Sequence, residues 1–221
     1  RRQAPRTHLS ASLQRALAAE RRTIVFFQIF AMTALALFYG CYFLKQLSQR
    51  RQGVQTNQVC KEKAGLTFWV EASMGIASLA APAAELVSIG LNRWAGPTWL
   101  RAAGAAASLA GVALFYAAVL TMKDSWRAGV SQDETSLVTN GIFQWSRNPA
   151  FDLVYLGLLA MFFNLPLCLI SLFAVAAFHL QIVCNEEPAM ARAFGPQYAR
   201  YQQTVRRYWG RRAGADRHIS R

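Results

Sequence analysis

The sequence predicts an all-α integral membrane protein with about five transmembrane helices, of which the last two form a hairpin. Two observations lead to this fold class. Hydrophobic residues make up 54% of the 221 residues, and they are concentrated in long runs that basic and polar segments separate. Each run has about 20 residues or more, which is enough to cross the roughly 30 Å hydrocarbon core of a bilayer.

The first three runs each predict one transmembrane helix. Residues 24–44 contain no charged side chain, which is the clearest signal of a span. Residues 66–91 contain two glutamates and, near their middle, Pro82, so they predict a kinked second helix. Residues 100–122 are rich in Gly, Ala and Ser. Because small side chains let helix backbones approach closely in lipid, we expect this third helix at the centre of the bundle.

The final apolar run is too long for one crossing. It extends over residues 151–183 and would measure about 50 Å as a single α-helix. The sequence "NLP" at 164–166 predicts a break, because proline removes a backbone donor and disfavours helical geometry in the residue before it. Residues 150–184 therefore predict a hairpin, with a short fourth helix to about Phe163 and a fifth helix to about Cys184. A single long, kinked helix is the alternative.

The distribution of basic residues predicts the orientation. With five crossings and a cytoplasmic C-terminus, the cytoplasmic segments contain 16 of the 24 lysines and arginines. Cytoplasmic segments of membrane proteins are enriched in these residues, so this orientation is favoured. Arg21 and Arg22 count against it, since they lie beside the first helix on the other side.

The net charge of +13 does not predict nucleic-acid binding, because no basic run is interleaved with stacking aromatics in a recognition motif. Anionic headgroups account for the charge better, so we expect membrane lipids as partners. The three histidines are far apart and the four cysteines form no CxxC pair, so we expect no metal site and free thiols. The cysteines are Cys41, Cys60, Cys168 and Cys184. The sequence leaves the oligomeric state open.

Polar residues cluster in two segments that the five-helix topology places on the cytoplasmic face. The first is residues 123–149, and the second follows the fifth helix over residues 179–209. Three stretches in them read "SWRAG", "LVTNGIFQWSRNPAF" and "EEPAMARAFGPQYARYQQTV". Together they resemble the isoprenylcysteine carboxyl methyltransferase family and its bacterial and archaeal relatives, whose C-terminal pattern is shared with phospholipid methyltransferases. The resemblance covers about residues 125–205.

The sequence departs from the family pattern at two points. Family members often have a Tyr-x-Gly step after the Arg-His-Pro or Arg-Asn-Pro turn, whereas Phe151 is followed here by Asp152 and Leu153. Asn148 replaces the histidine that is typical of eukaryotic members. These departures leave the start of the fourth helix and the eukaryotic substrate open.

The resemblance implies an S-adenosylmethionine-dependent integral membrane methyltransferase, with its cofactor pocket on the cytoplasmic side of a bacterial cell membrane. It implies a lipophilic small-molecule or prenylated acceptor, with carboxyl O-methylation favoured. It divides the chain into a basic segment (1–23), three membrane helices (24–122), a methyltransferase-like cofactor-binding region (123–209) and a basic tail (210–221). The alternatives are a membrane lipid or sterol reductase-like enzyme that uses NADPH, and a non-catalytic protein that retains the fold.

The resemblance implies catalytic roles for Arg147 and Glu187, and it implies a cofactor site formed by the two polar segments. The expected cofactor-binding residues are Leu137, Val138, Thr139, Gly141, Phe143, Arg147, Asn148, Pro149, Phe151, His179, Glu186, Glu187, Tyr198 and Tyr201.

Arg147 has a physical reason to bind the cofactor. An arginine at the membrane edge can bind the carboxylate of S-adenosylmethionine through two charge-assisted hydrogen bonds. Pro149 is expected as the first residue of the fourth helix, which places Arg147 just before a helix N-terminus that favours an anion. A snorkelling arginine that anchors the helix in the headgroups is the alternative.

The other expected site residues each have two interpretations. Glu186 and Glu187 oppose a helix dipole, so we expect a partner, either the cofactor or the arginine-rich tail. His179 lies seven residues before Glu186 on the same helical face, and it either faces the cofactor or is a satisfied intramembrane histidine. Tyr198 and Tyr201 share one helical side and either form an adenine pocket or belong to the interfacial aromatic belt.

The second predicted helix contains two glutamates, Glu71 and Glu85, on one face. They are either functional or snorkelling, and they are left outside the site.

The need for a general base depends on the acceptor. A carboxylate acceptor needs no general base because it is already ionised near neutral pH. An amine or hydroxyl acceptor would need a base, for which Glu187 and His179 are the candidates.

The orientation is tested by labelling. We expect a single cysteine in the tail, from position 210 onward, to react with a membrane-impermeant reagent only from the cytoplasmic side. The four native cysteines are replaced by serine beforehand. Labelling of the tail cysteine from outside intact cells alone would reverse the topology.

Overall fold

The protein is described by a computed structural model over residues 11–51, 65–93, 96–123, 136–149 and 152–212. These residues form six α-helices, with a 3-10 helix before α4 and a π-helix between α5 and α6. The elements are α1 (Ala11–Arg51), α2 (Gly65–Leu91), α3 (Thr98–Met122), the 3-10 helix (Gly141–Gln144), α4 (Asp152–Met161), α5 (Leu165–Leu180), the π-helix (Gln181–Glu186) and α6 (Glu187–Thr204). Within these ranges the only β-type pairing outside helices is an isolated bridge between Val205 and Arg211. The predicted all-α membrane fold is confirmed.

Four helical segments are long and apolar enough to cross a membrane. They are Ala11–Arg51, Gly65–Leu91, Thr98–Met122 and the stretch Leu165–Thr204, which joins α5, the π-helix and the kinked α6. Helix α4 has 10 residues, so it is only about 15 Å long and is too short to cross the bilayer alone. The fifth full-length span expected from the sequence is therefore not confirmed.

The turn between α4 and α5 nevertheless lies at one end of the bundle. At its turn, Asn164 Nδ2 donates to Ser88 Oγ at 2.8 Å, and the Arg101 guanidinium lies 5.8 Å from the centre of the Phe162 ring. Ser88 lies in the last turn of α2, and Arg101 lies in the first turn of α3. At the opposite end, Gly141 lies against Thr121 near the end of α3. The turn therefore lies at the end of the bundle where α2 connects to α3.

The break in the last apolar run lies where proline predicts it. Asn164 has extended backbone angles, and its side chain accepts a hydrogen bond from the backbone N–H of Leu167 at 2.9 Å. Pro166 lies in the first turn of α5, where its missing N–H costs nothing. The predicted hairpin is confirmed, and the alternative of one long kinked helix is wrong. The fifth helix does not end near Cys184, since the π-helix and α6 continue it. A kink at Gly195, whose φ of 45° is not helical, interrupts α6 before it ends at Thr204.

Helix α1 is longer than the apolar run that predicts it. It begins at Ala11 and has 41 residues, about 60 Å at the usual rise. The residues before the apolar run are rich in Ala, Leu, Gln, Glu and Arg, which are strong helix formers, so the helix continues beyond the bilayer. In α2, Glu71 and Glu85 are 3% and 1% exposed. Both carboxylates therefore face the bundle interior, and the snorkelling interpretation does not describe them.

Helix α3 is central, as its small residues predict, and it contacts α1, α4 and the 3-10 helix. Its closest approach is to α4. A Cβ atom added to Gly157 would lie 2.5 Å from the carbonyl oxygen of Gly104, and one added to Gly111 would lie 2.8 Å from the backbone of Val154. Glycine at these positions lets the two backbones touch, which is the usual way that helices associate in lipid.

The contact of α3 with α4 can be tested at Gly157. We expect Gly157→Ala to lower the stability in detergent by about 1–3 kcal/mol, because the added methyl group must push two backbones apart. Gly75→Ala is the matched control, since a Cβ at Gly75 meets nothing within 4 Å. Thermal unfolding of both variants checks this. Equal melting temperatures for the two would show that the close approach does not matter.

Candidate functional site

The polar segment before α4 is held by a strap at the C-terminal end of the described chain, residues 204–212. The strap folds back on itself, with Arg206 N donating to Gly210 O and Arg212 N donating to Thr204 O, both at 2.9 Å. Gly210 has a φ of 92°, which only glycine adopts without strain. The fold-back therefore presents residues 207–209 at the tip of the strap.

Backbone hydrogen bonds join the strap to the Arg-Asn-Pro turn. Arg147 N donates to Arg206 O at 3.2 Å, and Asn148 N donates to Arg207 O at 3.0 Å. These bonds hold residues 147–148 in a non-helical bend, so the helix begins later than the sequence predicts. Pro149 lies outside any helix, and the expectation that it starts the fourth helix is corrected.

The strap and α6 enclose a cluster of three charged side chains. Glu187, in the first turn of α6, accepts from Arg207 through both oxygens, with Nε and Nη2 each at 2.8 Å. The same carboxylate lies 2.8 Å from Nη1 of Arg147. Arg147 and Glu187, about 40 residues apart in sequence, are therefore in direct contact, and Arg207 forms the planar two-bond geometry typical of arginine and carboxylate.

Burial and charge make this cluster suited to a further anion. The side chains of Arg147 and Glu187 are only 5% and 12% exposed. Two guanidinium groups face one carboxylate, so the cluster retains one positive charge. Arg147 Nε is buried and has no hydrogen-bond partner among the described residues, which is costly for a charged donor. The hydrogen bond to Glu187 raises the pKa of Arg207, so the charge of Arg207 is secure.

Two tyrosines of α6 complete one side of the cluster. Arg147 Nη1 donates to Tyr198 Oη at 3.0 Å, and Tyr201 Oη donates to the carbonyl of Phe143 at 2.6 Å. Both tyrosines are buried, and their ring centres are 6.3 Å apart. The predicted shared helical side is confirmed, and both side chains pack inside the protein rather than in an aromatic belt.

The π-helix changes which glutamate faces the site. In a regular α-helix, His179 would share a face with Glu186, seven residues later. The wider π turn accommodates about one extra residue, so eight residues instead of seven make two turns. Glu187 thereby lies on the side of His179, and each contacts the strap, Glu187 through Arg207 and His179 through Tyr208. Glu186 is half-buried and points about 100° away around the helix.

His179 lies apart from the charged cluster. Its Nδ1 is 2.5 Å from Tyr208 Oη, and both side chains line an open groove of about 320 Å³ on the outer side of α5. The hydrogen-bond partner of the histidine, Tyr208, directly follows Arg207 in sequence. The described structure shows no hydrogen bond from His179 to Arg147 or Glu187.

The remaining expected site residues surround the turn. Leu137 and Val138 are half-buried and pack against the cluster of Phe143, Tyr198 and Tyr201. Thr139 is exposed. Gly141 has a φ of 56°, and a Cβ there would lie 2.8 Å from Thr121. The Asn148 amide donates to Arg207 O at 3.4 Å. Phe151 lies outside the described residues.

Comparison with protein families identifies this region. Residues 99–197 match the family model described as phospholipid methyltransferase. This stretch, somewhat less than half of the chain, is similar to the phospholipid methyltransferase family. The match includes α3, the Arg-Asn-Pro turn, the hairpin, the π-helix and the first part of α6. It confirms the resemblance to the isoprenylcysteine and phospholipid membrane methyltransferases. No curated protein and no solved structure matches the chain significantly.

The methyltransferase match ends before several residues that the structure joins to it. Tyr198, Tyr201, Arg207 and Tyr208 lie beyond residue 197. The sequence pattern predicts the two tyrosines as site residues, and it gives the arginine-rich tail as the alternative partner of the glutamates without singling out Arg207. The sequence "VRRYW", directly after the family motif, could have predicted a role for Arg207, because two arginines and two aromatic residues follow an amphipathic helix there.

The ion pair between Glu187 and Arg207 is tested by substitution of the arginine. We expect Arg207→Ala to destabilise the protein by about 1–2 kcal/mol. The expected loss is small because Arg207 is one-third exposed. Arg206→Ala is the control, since this neighbouring side chain is exposed. Denaturation in neutral detergent measures both. If Arg206→Ala lost as much stability as Arg207→Ala, the total charge of the strap, and not the ion pair, would determine the stability.

Proposed function

We propose that the protein is an S-adenosylmethionine-dependent membrane methyltransferase that methylates a lipid-like acceptor, with a carboxyl group as the favoured methyl acceptor. The observation that carries the proposal is the buried cluster of Arg147, Glu187 and Arg207. Two of its members, Arg147 and Glu187, lie inside the region that matches a methyltransferase family. The cluster lies where the Arg-Asn-Pro turn, α6 and the strap meet.

The residues of the cluster fit the cofactor's amino-acid end. The cluster has one positive charge in excess, and Arg147 offers a buried Nε donor without a partner in the described structure. A carboxylate satisfies both requirements, because guanidinium groups bind carboxylates through parallel charge-assisted bonds. Tyr198 holds the guanidinium by a hydrogen bond at 3.0 Å. Its orientation is therefore set before a ligand arrives, which lowers the cost of binding.

The contacts of Glu187 support a carboxyl acceptor over an amine. Both oxygens of Glu187 accept hydrogen bonds from arginines, and a carboxylate held in this way is a weak base. Glu187 then acts as a positioning residue that holds Arg147 and Arg207. A carboxylate acceptor is consistent with this, since it needs no general base near neutral pH.

The chain's own residues would bind and orient the cofactor, and they would exclude water from the site. S-adenosylmethionine supplies a methyl group on a sulfonium, whose C–S bond breaks as an acceptor carboxylate oxygen forms the new O–C bond of a methyl ester. Arg147 would hold the amino-acid carboxylate, and Tyr198 with Tyr201 would form an apolar wall on one side. The burial of the Arg147 and Glu187 side chains limits access of water. Orientation and desolvation would therefore provide most of the rate of methyl transfer.

Arg147 variants test the proposed cofactor contact. We expect Arg147→Ala to weaken S-adenosylmethionine binding about 10- to 150-fold, because it removes a charge-assisted pair worth about 1.5–3 kcal/mol. Arg147→Lys should restore only part of this, since lysine lacks the planar fork. Arg200→Ala, an exposed arginine of α6, is the control and should bind like the wild type.

Isothermal titration of the purified protein measures these affinities, and a methyl-transfer screen over lipid extracts identifies the acceptor. If Arg147 only anchored the protein in the membrane, lysine would substitute fully and alanine would not change the affinity. A wild-type protein that does not bind S-adenosylmethionine would refute the proposed function as a whole.

A further inference from the structure

An apolar groove on the outer side of α5 ends at the strap. Leu172, Val175, Ala176, His179 and Tyr208 line it, and its volume is about 320 Å³. The first three side chains are apolar. His179 and Tyr208, joined by a 2.5 Å hydrogen bond, form a polar end. The groove therefore has the amphipathic character of a site for a chain with a polar head.

The surface at the polar end is strongly basic. Residues 204–212 contain four arginines and no acidic residue, and Arg206, Arg211 and Arg212 are exposed. Tyr208 and Trp209 lie at the tip of the same strap. Aromatic and basic side chains together are typical of the boundary between hydrocarbon and headgroups, where arginines attract anionic lipids.

We propose that this groove binds one acyl chain of an anionic phospholipid, with the lipid phosphate held by the exposed arginines of the strap. The volume lies at the lower limit of ligand sites, about 300–1,000 Å³, and suits one chain rather than a whole lipid. The net charge decides between lipid classes, because the choline cation of a zwitterionic lipid offsets the attraction between its phosphate and the arginines.

This lipid has a structural consequence for the charged cluster. Tyr208 lines the groove, and the preceding residue, Arg207, binds Glu187 through two hydrogen bonds. A lipid that binds the strap therefore holds Arg207 in place and stabilises the contact between the strap and α6. The site is separate from methyl transfer, and it stands whether or not the protein binds S-adenosylmethionine.

The test uses the full chain in a neutral detergent. Dioleoylphosphatidylglycerol, dioleoylphosphatidylcholine and inorganic phosphate are titrated separately, with bound lipid counted by native mass spectrometry and stability measured by thermal unfolding. We expect one phosphatidylglycerol to remain bound and to raise the melting temperature. Phosphatidylcholine should bind at least about tenfold more weakly, and inorganic phosphate should not replace the lipid, because it has no chain.

Two variants and one control locate the site. Ala176→Phe fills the groove from an exposed position, and the triple change Arg206→Gln, Arg211→Gln and Arg212→Gln removes the charges. Each should weaken phosphatidylglycerol binding about tenfold or more. Ala103→Phe, on the exposed side of α3, should not.

Three results would overturn the proposal. The first is equal binding of the two phospholipids, which would indicate ordinary bilayer lipid. The second is undiminished phosphatidylglycerol binding by Ala176→Phe or by the triple variant. The third is a dimer that Ala176→Phe dissociates, which would show that a second copy of the chain covers the groove.

Discussion

A single buried carboxylate holds together three parts of the chain that are distant in sequence. Glu187 begins α6, Arg147 precedes α4, and Arg207 lies in the strap, and the three side chains meet through contacts of 2.8 Å. A carboxylate removed from water requires compensating partners, and loss of either arginine would leave charge poorly matched. Backbone hydrogen bonds between residues 145–148 and the strap support the same arrangement, because they hold Arg207 close to Glu187.

The π-helix is the local feature that makes this geometry possible. Without the extra residue in its turn, Glu186 would point toward the strap and Glu187 would be rotated away. The segment is stabilised on its other side, where Asn185 donates to Gln181 at 2.8 Å and both side chains are almost fully buried against α2. π-Helical turns often occur at functional sites, where they change the direction of a side chain within an otherwise regular helix.

Some of these features can be predicted from the sequence, and others depend on contacts that no local pattern contains. Apolar length and helix-breaking proline predict the membrane helices and the Asn164 turn, because both effects act over a few residues. The central place of α3 follows from its glycines. The short α4 was predicted, but its start was not, since that start depends on hydrogen bonds between Asn148 and the strap, about 60 residues away. Arg207 was missed as a site residue for the same reason.

The π turn shows a second limit of sequence reasoning. Regular 3.6-residue periodicity places His179 with Glu186, and nothing in "HLQIVCNEE" indicates the extra residue. The side chains that fix the turn, Gln181 and Asn185, act through α2, which is distant in sequence. Arg147 and Glu187, which were chosen by motif, are in contact, whereas His179 lies apart from them. Tertiary contacts determine the partner of each residue.

The central claim is that Arg147, positioned by Glu187 and Tyr198, binds the carboxylate of the methyl donor. An experimental structure of the protein in lipid nanodiscs with S-adenosylhomocysteine tests it most directly, since this product has the same amino-acid end. We expect the ligand carboxylate within hydrogen-bonding distance of the Arg147 guanidinium, with Arg207 still bonded to Glu187. A ligand carboxylate bound elsewhere, with Arg147 contacting only Glu187 and Tyr198, would contradict the claim.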